Sequence, residues 1–177
     1  MSRKICRVIG RWRGADASIA EVVLDGDEAD ISERFAAVDA LPAPRQAQGI
    51  YLELDTGERV DMPVPADVRI LPGQQTVAAI FTKKSADSPN QMGIDQRSDN
   101  AAIFDLHGKL VDVLHNPEGP GSSFIGFNGS SFNAVSGVGE VWIAVRSDEV
   151  QDYFLSIYRI DGQHHCLEKS TRRLIPA

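Results

Sequence analysis

Few residues in this chain are grouped in a way that could do chemistry. His164-His165-Cys166 places borderline and soft metal ligands side by side. On a strand, neighbours point to opposite faces, so His164 and Cys166 can share an ion while His165 points away. Two ligands fall short of a closed zinc site, so His107, His115 or a carboxylate would have to join them. Asp25-Gly26-Asp27-Glu28-Ala29-Asp30 concentrates acids as a calcium loop does. A twelve-residue calcium loop, however, needs Gly at its sixth position and an acid at its twelfth. Those positions are Asp30 and Ala36, so these acids instead suit a helix N-terminus or a basic partner. A third group, Asp105, Phe124, Asn128 and Asn133, offers an aromatic face with amide and carboxylate hydrogen-bonding groups. Such a set could stack on and bind a sugar or other polar ligand.

Asp55-Thr56-Gly57 has the residue order of the aspartic-protease triplet. That mechanism needs two such carboxylates sharing one proton. The chain has one, so the second would have to come from another copy, and a hairpin turn is the simpler account. The Ser-rich segment 121–136 lacks the Lys of a phosphate cradle. No Gly-x-Ser-x-Gly elbow, Walker loop or dinucleotide fingerprint occurs. No catalytic residues are assigned and no cofactor is expected.

The elements that would position these residues read as strands. Three segments share one punctuation: Leu52–Val60, Ala102–Val111 and Leu155–Gln163. Each is an apolar-rich run, an Asp, a Gly within three residues, and a second run. Asp bonds back to its own backbone and Gly tolerates positive φ, so each predicts a tight antiparallel turn. Further strands are expected at 5–12, 18–24, 68–71, 76–82 and 140–146. Asn128-Gly129, the preferred pair for a type I′ turn, predicts a hairpin between two Gly-Ser-Ser-Phe copies, pairing Ile125 with Phe132. One helix is expected near 31–40. Asp30 and Glu33 form a capping box, Ile31, Phe35 and Val38 form an apolar stripe, and Pro42 and Pro44 stop it. The polar stretch 83–100 has no periodicity and reads as a loop, either disordered or binding.

Residues 101–168, with Phe104-Asp105, Gly139–Val145 and Tyr153–Gly162 at their centre, resemble the strand repeats of β-propeller blades. That resemblance implies successive antiparallel sheets, but propellers close with at least four blades. The expected fold is therefore mainly β: a curved antiparallel sheet, sandwich or partial-propeller-like architecture with one short helix. A single domain, 1–177, is expected, with a possible division into 1–82 and 101–177 around the loop.

Composition supports a globular chain: 177 residues, 42% hydrophobic and 24% charged. No apolar run reaches the roughly 20 residues of a membrane span. The basic start, Arg3 to Arg13, is not followed by the apolar stretch of a secretory signal, and a cytoplasmic location is expected. The two cysteines, Cys6 and Cys166, suit a reduced compartment. Net charge is −7, and the acids all fall between the basic ends 1–13 and 169–177. Such a body repels nucleic acid and anionic membrane and attracts basic partners. The Arg-rich first strand reads as a guarded sheet edge. The expected function is a non-enzymatic protein-interaction module, immunity- or antitoxin-like, meeting a basic protein through Asp25, Asp27, Glu28 and Asp30. The alternative is a small-molecule- or carbohydrate-binding, even hydrolytic, β domain.

Overall fold

The computed structural model describes residues 3–26, 35–62, 67–81, 99–132, 138–147, 153–161 and 167–174. They form three four-stranded antiparallel sheets and one short helix, without a closed barrel among the described residues. The first sheet contains β1 (Ile5–Arg13), β2 (Ile19–Gly26), β3 (Gln46–Leu54) and β4 (Arg59–Asp61), in the order β2-β1-β3-β4. Helix α1 (Ala36–Asp39) lies between β2 and β3 in the chain. The second sheet runs β5 (Asp67–Ile70), β6 (Thr76–Ile80), β7 (Ala101–Asp105), β8 (Leu110–Leu114). The third runs β9 (Ser122–Phe132), β10 (Val138–Ser147), β11 (Tyr153–Asp161), β12 (Leu167–Leu174). In the last two sheets every strand pairs with its sequence neighbour, β6 with β7 even across the long connection between them.

The sheets stack face to face, with the second in the middle. Its central strands read Thr-Val-Ala-Ala-Ile and Ala-Ala-Ile-Phe-Asp, nearly continuous apolar runs. Such runs suit strands covered on both sides. Alternation divides them between two cores. Val77, Ala79, Ala102 and Phe104 pack with Ile5, Val8, Ile50, Leu52 and Leu54 of the first sheet. Ala78, Ile80, Ala101 and Ile103 pack with Phe124, Val141, Ile143, Val145 and Tyr158 of the third. A smaller cluster joins Ala20 and Val22 of β2 to Val38 and Leu41 at α1.

The turn chemistry holds where it is described. Asp105 Oδ1 accepts the backbone N–H groups of His107 (2.8 Å) and Lys109 (2.9 Å), and Gly108 sits at φ +72°. Gly57 closes the β3–β4 turn at φ +79°, and Asp55 Oδ1 accepts from Lys4 N at 3.2 Å. Gly162 lies outside the described residues.

Two expectations are corrected. The Asn128-Gly129 pair is not a turn: β9 continues through it, with Asn128 an extra residue at a bulge and Gly129 paired with Trp142 of β10. Ile125 and Phe132 therefore share one strand, because the longer run gains a ladder with β10. The first strand is not an edge either: β1 pairs with β2 on one side and β3 on the other. It belongs to the first sheet and β12 to the third, so the two basic ends do not pair. The described helix is a single turn, Ala36–Asp39, with no side-chain cap at Phe35. Ile31 and the Asp30–Glu33 capping box lie outside the described residues, as does the loop from 82 to 98.

Candidate functional site

The inner face of the first sheet is core, but its outer face carries an ordered set of charges. A bulge sets the alternation. Ile5 pairs with Leu54 and Arg7 with Glu53, so Cys6 is an extra residue in β1. Beyond it, Arg7, Ile9, Arg11 and Arg13 share the outer face. Register brings Arg11 opposite Glu21 of β2, Ile9 opposite Tyr51 of β3, and Tyr51 opposite Asp61 of β4.

The side chains interlock across all four strands. Arg11 donates from Nε (3.2 Å) and Nη2 (2.9 Å) to one oxygen of Glu21. Arg59 reaches Glu21 at 3.5 Å and Glu53 at 3.6 Å, and Arg7 reaches Glu53 at 3.5 Å. Tyr51 lies under two guanidiniums, with Arg59 Cζ 4.5 Å and Arg11 Cζ 5.6 Å from its ring centre. Ile9 and Tyr51 are buried beneath this layer, although both face outward.

The electrostatics follow from that burial. Desolvation and then the nearby Glu21 carboxylate push the Tyr51 phenol up to about 12. Its hydroxyl is buried and close enough to stabilise Glu21, yet it makes no hydrogen bond of ordinary geometry. Glu21 is held below the usual carboxylate value, first by that hydroxyl and then by Arg11. Glu21 is thus held as an anion and the phenol is held neutral. Such a face offers rigid donors and acceptors rather than a group ready to exchange protons near neutral pH.

At one end this face opens into a cleft of about 340 Å³. Arg11, Arg13, Ala17, Ile19, Gly49 and Asp61 are among its walls. A second bulge makes room for it. Arg11 pairs with Gly49 and Trp12 with Ala47, leaving Gln48 as the extra residue. Gly49 adopts φ +155°, and a Cβ there would meet nothing within 4 Å. Gly49 leaves this part of the lining without a side chain.

The residues singled out from sequence do not converge. Asp105 is engaged in its turn. Phe124 is 2% exposed, edge-on to Tyr158 at 6.0 Å in the second core. Asn128 lies in β9, and Asn133 is outside the described residues. Asp25 Oδ2 accepts the Ile70 N–H at 2.6 Å, tying the first sheet to the second. Asp27, Glu28, Asp30, His164 and Cys166 lie outside the described residues. Among the described residues no group of three potential metal ligands forms. The arginines were visible as the alternation Arg7-x-x-x-Arg11-x-Arg13. Their acidic and aromatic counterparts, Glu21, Tyr51, Glu53, Arg59 and Asp61, depend on strand register that spacing does not show.

No protein-family model matches the sequence, and comparison with curated proteins finds no match. Among solved structures, a chain in "Structure of Tne2 in complex with Tni2" is similar over 99% of this chain and 100% of that one. The TM-score is 0.51 at 10% identity, a likeness of fold. No helix among the described residues is long and apolar enough to cross a membrane.

Proposed function

We propose that this protein is a non-enzymatic module that docks on another protein, an immunity- or antitoxin-like cover for a basic partner. The outer face of the first sheet carries this reading. Its arginines are exposed and are held across four strands by Glu21 and Glu53, with Tyr51 buried beneath them. Arg is among the residues that dominate the binding energy of protein interfaces, the more so when held in place before docking. In the sequence, the acids Asp25, Asp27, Glu28 and Asp30 begin at the end of β2. Together with the net charge of −7, they favour encounter with a basic surface. The fold likeness to a chain from a two-protein complex supports the same reading.

The test is a tagged pull-down from lysate of the source organism at low and high salt, read by mass spectrometry. A stoichiometric basic protein retained at low salt and released at high salt is expected. Charge reversal at Asp27, Glu28 and Asp30 should weaken its capture. A partner indifferent to both salt and charge reversal would remove the electrostatic account. No partner at either salt would overturn the reading.

The alternative reading, a small-molecule-binding β domain, is favoured by one observation, the cleft over Gly49. It would use that cleft rather than Phe124, whose ring is core.

A further inference from the structure

We infer that the cleft over Gly49 binds a small zwitterion of the amino-acid class, its carboxylate on Arg13 and Arg11 and its ammonium on Asp61. This site lies at one end of the proposed docking face and shares Arg11 with it, but small-molecule binding there is tested without a partner.

The cleft has a cationic end and an anionic end. Arg13 makes no ion pair or hydrogen bond among the described residues, although it lines the opening. Arg11 is half committed. Its Nε and Nη2 hold Glu21, which fixes the guanidinium in place and leaves Nη1 without a hydrogen bond among the described residues. A planar guanidinium with spare donors suits a carboxylate. Anchoring one edge on Glu21 means that little rotamer freedom is lost on binding.

Asp61 supplies the opposite charge. It is exposed, lines the cleft and pairs with no cation among the described residues. Register fixes the separation. Arg11 stands opposite Gly49, and Asp61 stands opposite Tyr51, two residues further along β3. With strands about 4.8 Å apart and residues about 3.3 Å apart, two strands and two residues separate their α-carbons by about 12 Å. Arg11 is anchored on Glu21 of β2, on the side away from β4, and the Asp61 side chain is short, so the ligand class that would span them is a flexible ω-amino acid. A volume of about 340 Å³ accommodates a ligand of that size.

Charge selects the ligand. A second anionic group would meet Asp61, and a diamine would meet the two arginines. Only a molecule with one charge of each sign satisfies both ends. The missing side chain at Gly49 keeps the floor open between them.

The probe is ε-aminocaproate, titrated into the ¹⁵N-labelled protein with no partner present. Hexanoate and hexylamine serve as controls that each lack one charge. Saturable shifts at the Gly49 and Tyr51 amides are expected with the zwitterion, at about tenfold or greater affinity over either control. Arg13→Ala and Asp61→Asn should each weaken it by a similar factor while leaving Tm unchanged, since both groups are exposed and unpaired. The inference is overturned by an absence of saturable shifts with all three probes. Equal binding of a one-charged control, or unaltered binding in both variants, overturns it as well. A missing protein partner in the pull-down has no bearing on these outcomes.

Discussion

The Asn100 side chain pairs with the Phe124 backbone as a neighbouring strand would. Its Oδ1 accepts the Phe124 N–H at 2.9 Å, and its Nδ2 donates to the Phe124 carbonyl at 2.7 Å. Nδ2 also donates to the Phe81 carbonyl at 2.9 Å, while the Phe81 N–H bonds to the Asn100 carbonyl. One amide thereby closes the seam between the second and third sheets. At 2% exposure it has no water to fall back on.

Asn100→Ala is therefore expected to cost about 3 kcal/mol or more, since it strands buried backbone donors and acceptors. Asn100→Asp should also be destabilising, because a carboxylate cannot donate to the two carbonyls. Urea unfolding measures both. A loss below about 1 kcal/mol in either variant would mean that the seam does not depend on this amide.

The strand order of this fold was only partly legible in the sequence. Hairpins such as Ala102–Val111 announce themselves because Asp105 and Gly108 state the turn locally. The double burial of β6 and β7 is also written in their unbroken apolar runs. Asn128-Gly129 shows the opposite case, where local turn preference loses to a long ladder with β10. Asn100 sat at the end of a featureless polar stretch, and nothing local marks it as a bridge to Phe124, 24 residues away. The charged face was legible as arginine spacing on β1. Its carboxylates and Tyr51 arrive from strands whose register is set by bulges at Cys6 and Gln48. Bulges carry weak sequence signals.

Asp67 gives a pH-dependent prediction. Its Oδ2 accepts the Phe127 N–H at 2.6 Å, joining β5 to β9. Burial raises its carboxyl above the ordinary value, against the opposing pull of that N–H and of Arg69. The folded state therefore holds a proton that the unfolded state has released. Stability falls as pH rises from the unfolded value, near 3.9, through the raised folded one, and stays reduced above it. Asp67→Asn keeps an acceptor for Phe127 and removes the charge. It should flatten this acidic slope and raise Tm at neutral pH by about 2–4 °C per kcal/mol recovered. Thermal melts across acidic to neutral pH check it, and an unchanged slope would discount the burial of this group.

Gly126 tests the same clasp sterically. A Cβ there would lie 2.9 Å from Asp67 Oδ2. Gly126→Ala should push the carboxylate away from Phe127 and cost about 1–3 kcal/mol. Denaturant midpoints of the single variant, and of the double variant with Asp67→Ala, separate this clash from a general intolerance of side chains. If the double variant costs as much as the sum of the singles, the clash is not the cause.

Gly108 couples a turn of the second sheet to the end of the first. It sits at φ +72°, and a Cβ would come within 2.8 Å of the Asp61 carbonyl oxygen. Gly108→Ala meets both the left-handed penalty, about 1–2 kcal/mol, and that contact. Gly57 has a similar φ of +79° but open space around its Cβ position. Gly57→Ala should therefore cost only the backbone part. The difference between the two variants, read from urea unfolding, measures the sheet-to-sheet contact. Equal losses would show that Asp61 moves aside freely.

Tyr51 links the candidate face to an observable titration. Its phenol is pushed to about 12, above the ordinary value near 10, chiefly by burial. Between those values the folded protein keeps a proton that the unfolded chain gives up, so stability falls as pH rises through that window. Tyr51 should contribute a late-ionising component to an ultraviolet titration of the native protein. Tyr51→Phe should abolish that late component. It should change stability at neutral pH by no more than about 1 kcal/mol, because the hydroxyl lies near Glu21 without a hydrogen bond of ordinary geometry. The ring and its arginine contacts remain, while Glu21 loses the hydroxyl that helps to hold its carboxyl low. A marked drop in stability would instead show that the hydroxyl bonds to Glu21 in solution, making it a working member of the ladder.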